Sequence, residues 1–142
     1  MKKILSTTVS VVLVFTFLFC LASCNTVKKE GAWETAAYLK DTTLGKGDKT
    51  VTVEVVADEQ IITFTVNTDK DTVGDALLEH NLIDGEDSAY GMYVKAVNGI
   101  IADYDADQTY WAFYVNGEYA MTGVDTTKIN ENDTYRLERT KG

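Results

Sequence analysis

The sequence predicts an α+β fold, β-grasp-like (ubiquitin-like), with one helix packed on one face of a mixed sheet and extra β-hairpins. Two strand patterns come first, over residues 50–66, and a helical pattern follows over residues 72–82. Further strand patterns, broken by two Asn-Gly pairs, fill residues 92–140. A lone helix among many strands has to cover one face of a small sheet. The alternative is an all-β sandwich with an incidental helix, which the helix caps disfavour.

The first 23 residues form a candidate targeting segment. Two lysines precede an apolar run over residues 9–21, which is long enough for a signal sequence and short for a membrane span. The run ends in "LASC", residues 21–24, which resembles the bacterial lipobox. We therefore expect a lipoprotein signal peptide over residues 1–23, lipidation of Cys24, and an extracytoplasmic protein anchored to the cell membrane by its lipid. A plain signal peptide or an uncleaved anchor is the alternative.

Residues 24–49 are predicted to be the lipidated cysteine and a tether. Thr, Lys, Glu and Gly dominate this segment, and "LGKGDKT" is typical of a loop. Trp33, Tyr38 and Leu39 are exceptions, and the sequence leaves open whether they dock onto the domain or form a brief helix. The domain itself is predicted to span residues 50–142.

Residues 50–66 predict a β-hairpin. Apolar residues alternate with polar ones on both sides of the polar break "ADEQ". One face of the hairpin carries Val51, Val53, Val55, Ile62, Phe64 and Val66.

Residues 72–82 predict a helix of about three turns. Thr72 with Asp75 three residues later resembles a capping box, with Asp in place of Glu. Gly74 falls within the apolar arc and would let the helix sit close to a sheet, and Asn81 is a candidate left-handed terminus. The apolar arc is formed by Val73, Leu77, Leu78 and Leu82.

The second half of the chain predicts a polar loop over residues 83–91 and then a series of strands. Asn-Gly between apolar runs indicates a tight hairpin, because both residues tolerate positive φ. The predicted strands cover residues 92–97 and 100–101 around Asn98-Gly99, residues 111–115 and 118–121 around Asn116-Gly117, and finally residues 134–140.

The aromatic run over residues 109–125 is the best candidate for a binding site. By alternation, Trp111, Phe113 and Val115 share the face expected to pack on the helix, and Tyr110 and Tyr114 point outward. Tyrosine suits a ligand or partner surface because it combines an apolar body with a polar tip. Ordinary cross-strand packing is the alternative. The predicted ligand-binding residues are Tyr104, Tyr110, Tyr114, Asn116, Gly117 and Tyr119.

Composition and motifs argue against several other functions. The net charge of −9 disfavours nucleic acid as a partner. Cys20 and Cys24 both fall within or at the end of the targeting segment, which leaves no thiol for a disulfide, a zinc site or a nucleophile. His80 is expected to be a surface residue of the helix. "DYDAD" begins like a calcium loop, but Gln108 and Tyr114 stand where Gly and Glu are needed. We predict no catalytic residue, no metal site, no bound cofactor and no enzyme activity.

Three stretches carry a family resemblance: "TVGDALLEHNLI", "YGMYVKAVNGIIADYDADQTYWAFYVNGEYAMTGVD" and "NDTYRLE". Together they resemble a family of bacterial surface lipoproteins, over about residues 40–140. The domain of that family is of unknown function and is similar to the C-terminal domain of transcobalamin and intrinsic factor. In those vertebrate relatives the small domain is a lid over cobalamin held by a larger helical domain. The resemblance implies a small-molecule-binding role here, with a corrinoid such as cobalamin as the candidate ligand.

Two hypotheses about function follow. The first is a lipid-anchored binding module that captures or presents a small ligand to a transporter or a second binding protein. The alternative is a protein- or glycan-interaction module at the cell surface without a small-molecule ligand. The first hypothesis expects the four tyrosines to line a pocket, and the second expects them to form a flat patch.

Overall fold

The computed structural model describes residues 25–142, so the predicted signal peptide and Cys24 lie outside the described residues. The strands are β1 (Thr42–Gly45), β2 (Lys49–Ala57), β3 (Gln60–Thr68), β4 (Ile83–Ser88), β5 (Gly91–Val97), β6 (Ile100–Ile101), β7 (Thr109–Val115), β8 (Glu118–Tyr119) and β9 (Thr134–Lys141); the helices are α1 (Val73–Leu78), α2 (Tyr104–Asp107) and a 3₁₀ helix (Gly31–Thr35). The predicted α+β class is confirmed.

Two sheets organise the described chain. The larger is a mixed six-stranded sheet in the order β1-β3-β2-β9-β7-β8, and the smaller is an antiparallel sheet in the order β4-β5-β6. Strand β9 runs parallel to β2 and antiparallel to β7, so the last strand joins the first hairpin to the aromatic strand. The smaller sheet, α1 and the 3₁₀ helix share one continuous hydrophobic core with the inner face of the larger sheet.

The hairpin β2–β3 matches its prediction. The two strands are paired along their whole length, from Lys49–Thr68 to Ala57–Gln60. Asp58 and Glu59 form the turn with φ of 47° and 64°, the positive values that suit the twist of paired strands. The alternating apolar residues of both strands are buried, so the period-two pattern correctly identified the inner face.

Much of the segment assigned to the tether, residues 24–49, is packed on the domain. Trp33 is fully buried, and its indole N–H donates to the carbonyl oxygen of Ala57 at 2.8 Å. Strand β1 extends the larger sheet by pairing in parallel with β3. Burial of an entire indole ring stabilises a segment whose composition is otherwise that of a loop. The structure has both possibilities that the sequence left open for Trp33, because the residue docks onto the domain and lies in the 3₁₀ helix.

Helix α1 begins where the sequence predicts and is shorter. The N–H of Asp75 donates to Thr72 Oγ1 at 3.2 Å, which is the predicted cap. Asn81 takes φ of 54°, and the N–H of Leu82 donates back to the carbonyl of Leu77 at 3.0 Å, closing a Schellman motif. The hydrogen bonds of this motif replace the regular helical ones, so the helix ends at Leu78. Leu78 was predicted in the apolar arc, but it is 38% exposed.

Gly74 allows a close approach, but to a loop and not to the sheet. Its N–H donates to the carbonyl of Val124 at 2.8 Å. A Cβ at this position would lie 2.9 Å from the backbone of Asp125, closer than real Cβ contacts. The start of α1 is therefore held against the loop that follows β8.

The prediction of a polar loop over residues 83–91 is wrong. Residues Ile83–Ser88 form β4 and pair with β5, with a bulge at Asp84 and Gly85. Only Ile83 of this strand is buried, because the strand lies on the surface. A surface strand of this kind has no apolar alternation by which the sequence could reveal it.

Candidate ligand-binding cleft

Strand β7 has an open edge along its first half. The predicted turn at Asn116 and Gly117 is present, with φ of 51° and 80°. Strand β8 covers only two residues, however, and pairs with Tyr114 and Val115 alone. The prediction of a strand to Met121 is therefore too long. Because β9 pairs with the other side of β7, no strand of the described residues lies beside the edge at Thr109–Ala112.

A cleft of about 290 Å³ lies at this edge, between the two sheets; we call it the inter-sheet cleft. Its walls come from the start of β5, from β7 and β9, and from the segment after β8. The lining residues are Tyr90, Met92, Tyr93, Val94, Tyr110, Trp111, Phe113, Tyr119, Ala120, Met121, Thr122, Gly123, Val124 and Leu137. Trp111 and Phe113 are buried in it, whereas Tyr90 and Met121 are 95% and 96% exposed at its margin.

The sequence correctly assigned Trp111 and Phe113 to the inner face of the larger sheet. It did not identify the element that packs on them. Helix α1 packs mainly against β3 and β4, while β7 faces β5. Val115, the third residue of the predicted face, is only half-buried. The short helix does not cover the whole inner face, so the smaller sheet covers the part that β7 contributes.

The indole nitrogen of Trp111 is buried and unsatisfied. Trp111 is 7% exposed, and its Nε1 has no hydrogen-bond partner within residues 25–142. Leaving a buried donor unpaired costs about 1–3 kcal/mol, and most buried polar groups are therefore paired. Trp111, which lines the cleft, thus carries a buried donor without an acceptor among the described residues.

Asp125 joins the two margins of the inter-sheet cleft. The N–H of Met92 donates to Asp125 Oδ1 at 3.0 Å. The same carboxylate oxygen would lie 2.9 Å from a Cβ at Gly91 and 2.7 Å from a Cβ at Gly123. The two glycines therefore provide the space in which the carboxylate ties the start of β5 to the loop after β8.

A second cavity, of about 390 Å³, adjoins the first; we call it the Lys95 groove. Lys95 Nζ donates to Glu86 Oε1 at 2.8 Å, and this hydrogen bond raises the pKa of Lys95. Tyr93 lines both cavities. The other lining residues of the groove are Ile101, Ala102, Asp103, Tyr104 and Asp105.

The four predicted site tyrosines are neighbours but do not share one cavity. Tyr110 and Tyr119 line the inter-sheet cleft, and Tyr104 lines the Lys95 groove. Tyr114 lines neither cavity and packs edge-on against Tyr119, with ring centroids 5.6 Å apart. Burial and then the nearby tyrosines, Tyr119 first, raise the pKa of Tyr110.

Asn116 and Gly117 form the turn at the end of this group. The Asn116 side chain donates to Asp133 Oδ1 at 2.8 Å and accepts the N–H of Thr134 at 2.9 Å. No atom lies within 4 Å of the position that a Cβ at Gly117 would take. The amide of Asn116 is thus engaged in the fold, and Gly117 is open to the surroundings.

Of the residues that line the cleft, only Tyr110 and Tyr119 were predicted to bind a ligand. The most exposed of those that the prediction missed are Tyr90 and Met121, and Asp125 beside the cleft was missed as well. A large apolar residue inside a polar turn, as in "SAYG" and "AMTG", is a signal that could have identified Tyr90 and Met121. Asp125 has no such signal, because its contact with Met92 joins residues 33 positions apart.

The other polar candidates from the sequence are the acidic run and the histidine. The acidic run "DYDAD" is the short helix α2, whose first N–H groups are capped by Asp103. His80 Nε2 is buried without a hydrogen bond and lies 3.8 Å from Glu79 Oε2. Among the described residues, no three His, Cys, Asp or Glu side chains are grouped to hold a metal ion.

Exposed apolar side chains concentrate at the two cavities. Within residues 25–142, the exposed large apolar residues are Leu78, Tyr90, Tyr93, Ile101, Tyr104, Tyr119 and Met121. All of them except Leu78 line the inter-sheet cleft or the Lys95 groove. Contiguous exposed apolar surface is typical of a binding site.

Comparison with known proteins places the chain in a family. Residues 70–138 match a family described as "Domain of unknown function (DUF4430)". A crystal structure from Ruminococcus gnavus ATCC 29149, described as a "putative metal binding protein", is 32% identical over 67% of this chain and 99% of that one, with a TM-score of 0.63. The chain belongs to the DUF4430 family.

A second solved structure shows how widely the DUF4430 fold occurs. Haptocorrin in complex with Cbi matches with a TM-score of 0.56 and 16% identity, over 69% of this chain. The DUF4430 chain spans only 26% of haptocorrin, so the likeness concerns the fold of one part of that protein. No curated protein sequence matches the chain. In the part of the chain that the structure describes, no helix has the length and apolar character needed to cross a membrane.

Proposed function

We propose that this DUF4430 protein is a binding module that captures a small ligand in the inter-sheet cleft. The observation that carries the proposal is the gathering of exposed apolar side chains at two adjoining cavities, with Leu78 as the exception. A concave site with aromatic walls and few polar groups is typical of small-molecule binding. The proposed role is to capture the ligand or to present it to a transporter or a second binding protein.

A corrinoid such as cobalamin is the candidate ligand. The support is the haptocorrin complex with Cbi, which shares the fold over one part of its chain. The cleft volume of about 290 Å³ is at the lower limit for ligand pockets. A large ligand would therefore be only partly covered, and a second protein would complete the site.

The proposed location is outside the cytoplasmic membrane, with a lipid anchor on Cys24. Its support is the "LASC" sequence after the apolar run. Replacing the residue, Cys24→Ala, should release the protein from the membrane or block its processing. Continued acyl labelling of that variant would refute the anchor.

A second candidate function, a protein- or glycan-interaction surface, is favoured by the position of Tyr114. This residue lies outside both cavities and forms an edge-on pair with Tyr119. Such a pair on a sheet surface suits a flat partner. The variant Tyr114→Ala separates the two functions, because it should leave ligand binding in the cleft unchanged.

Calorimetric titration with cyanocobalamin tests the first function. Residues 25–142 are suitable for it, because they contain the whole continuous core. The double variant Tyr90→Ala/Met121→Ala should weaken binding by about tenfold or more. Leu78→Ala is the matched control, since Leu78 is the exposed apolar residue outside the cavities. Absence of heat with the wild-type protein at millimolar ligand would refute a corrinoid.

A further inference from the structure

The indole N–H of Trp111 is a donor for which residues 25–142 supply no acceptor. We propose that this N–H determines ligand specificity: the ligand of the inter-sheet cleft carries a carbonyl or amide oxygen on an apolar body, and that oxygen accepts the Trp111 Nε1 hydrogen bond. The inference rests on the proposed function of the cleft and adds the chemical class of the ligand.

The surroundings of Trp111 explain why the acceptor has to arrive with a ligand. The residues that line the cleft and are buried together with Trp111 are Val94, Phe113, Val124 and Leu137. None of these side chains has a hydrogen-bond acceptor. Nε1 likewise meets no backbone carbonyl in the described part of the chain. The apolar side chains buried with Trp111 thus offer its N–H no acceptor, and an unpaired N–H in an apolar environment is unfavourable.

The other tryptophan of the chain provides the comparison. Trp33 is also buried, but its indole N–H donates to the carbonyl oxygen of Ala57 at 2.8 Å. Within residues 25–142, the indole N–H is therefore paired at Trp33 and unpaired at Trp111, which lines the inter-sheet cleft. An acceptor oxygen entering the cleft would form a hydrogen bond in an apolar environment, where such bonds are strong.

Nε1 has almost no solvent-accessible surface, so neighbouring groups have to move when a ligand oxygen reaches it. Met121 is almost fully exposed and follows directly after the last hydrogen bond of the hairpin, from the Ala120 N–H to the Phe113 carbonyl. The segment around Met121 lies at the margin of the cleft, directly beyond the paired part of the hairpin. Its displacement would bring a ligand oxygen to Trp111 without separating the sheets.

A matched pair of probes tests the inference without any variant. Acetophenone and ethylbenzene have the same ring and the same number of carbons, and only acetophenone has a carbonyl oxygen. The measurement is the indole N–H resonance of Trp111 in the NMR spectrum of residues 25–142, with that of Trp33 as internal control. We expect acetophenone to shift the Trp111 resonance downfield and ethylbenzene not to do so. A Trp111 resonance that acetophenone leaves unshifted would overturn the inference.

The variant Trp111→Phe supplies the second measurement. Phe keeps an aromatic ring in the wall and removes the donor. The wild-type protein should prefer acetophenone over ethylbenzene by about tenfold, and the variant should lose this preference. A preference retained in a folded Trp111→Phe protein would contradict the role of the N–H.

Two outcomes separate this inference from the proposed function. If acetophenone shifts the Trp111 resonance but cyanocobalamin does not bind, the proposal of a corrinoid ligand is refuted and the proposed role of the Trp111 N–H is kept. If cyanocobalamin binds the wild-type protein and the variant with equal affinity, the proposed role of the Trp111 N–H is refuted and the proposed binding function is kept.

Discussion

The two tryptophans mark two regions of one core that differ in how completely they are closed. In the Trp33 region, the segment before β1 covers the sheet, the side chain is fully buried and its N–H is paired with Ala57. In the Trp111 region, β8 is too short to cover the edge of β7, and the N–H has no partner in the part of the chain that the structure describes. The two side chains are buried to nearly the same extent, since Trp33 is 0% exposed and Trp111 is 7% exposed. The regions differ in whether the indole N–H has a hydrogen-bond partner and in whether a cleft adjoins the tryptophan. An unpaired donor and an adjoining cleft are properties that a binding site needs.

The largest expected effect is in the closed region. Replacing Trp33 by Ala removes a fully buried ring from a core that has no opening there. We expect a loss of about 3–5 kcal/mol in the free energy of unfolding, measured by urea denaturation. A loss below about 1 kcal/mol would mean that the segment before β1 is not part of the cooperative domain.

The next effect compares the same substitution in both regions. Trp33→Phe removes the buried hydrogen bond to the Ala57 carbonyl, whereas Trp111→Phe removes an N–H that has no hydrogen-bond partner within residues 25–142. The first variant should therefore be less stable than the second by about 1–3 kcal/mol. Urea unfolding of the two variants measures the difference. Equal stabilities would break the comparison, because they would imply that Trp111 also has a partner.

A smaller effect is expected at the carboxylate that joins the margins of the cleft. Asp125→Ala removes the acceptor of the Met92 N–H and should cost about 1 kcal/mol. Asp125→Asn keeps an acceptor oxygen and should remain within about 0.5 kcal/mol of the wild type. Gly123→Ala places a Cβ 2.7 Å from the present position of Asp125 Oδ1. In a double-mutant cycle, Gly123→Ala and Asp125→Ala together should lower the free energy of unfolding by less than the sum of the two single changes. A double variant that equals this sum would show that the two residues act independently.

The smallest expected effect is a pH dependence of the free energy of unfolding, caused by Tyr135 in β9. Tyr135 is buried and stacks on Phe113, with ring centroids 6.1 Å apart. Burial raises the pKa of Tyr135. The folded state therefore holds the phenolic proton more tightly than the unfolded state, so this contribution to stability is complete below about pH 10 and is lost as the pH rises further. Tyr135→Phe should flatten that alkaline decline in urea-unfolding free energy, and an unchanged slope would show that other groups cause it.

Local patterns in the sequence predicted much of the scaffold. The alternation in β2 and β3 revealed the inner face, because each strand has one buried face. Thr72, Asn81 and both Asn-Gly pairs marked a helix start, a helix end and two turns, since these residues act through their own backbone geometry.

The regions that the sequence misjudged depend on distant contacts. Docking of Trp33 requires the carbonyl of Ala57, 24 residues later. Strand β4 has no alternation, since it lies on the surface with only Ile83 buried. The inter-sheet cleft joins the start of β5, the edge of β7 and the loop after β8, and no local period describes how these segments meet. The aromatic run was therefore recognisable as a site candidate, while the face on which the cleft opens was not.

The central claim is that the Trp111 region, and not the Trp33 region, receives the ligand. The chain has two tryptophans, one in each region, so their indole N–H resonances report on both regions in one NMR titration with cyanocobalamin. The account predicts that the Trp111 resonance moves with saturating dependence on ligand while the Trp33 resonance stays in place. A titration in which Trp33 moves and Trp111 does not, or in which neither moves, would contradict it.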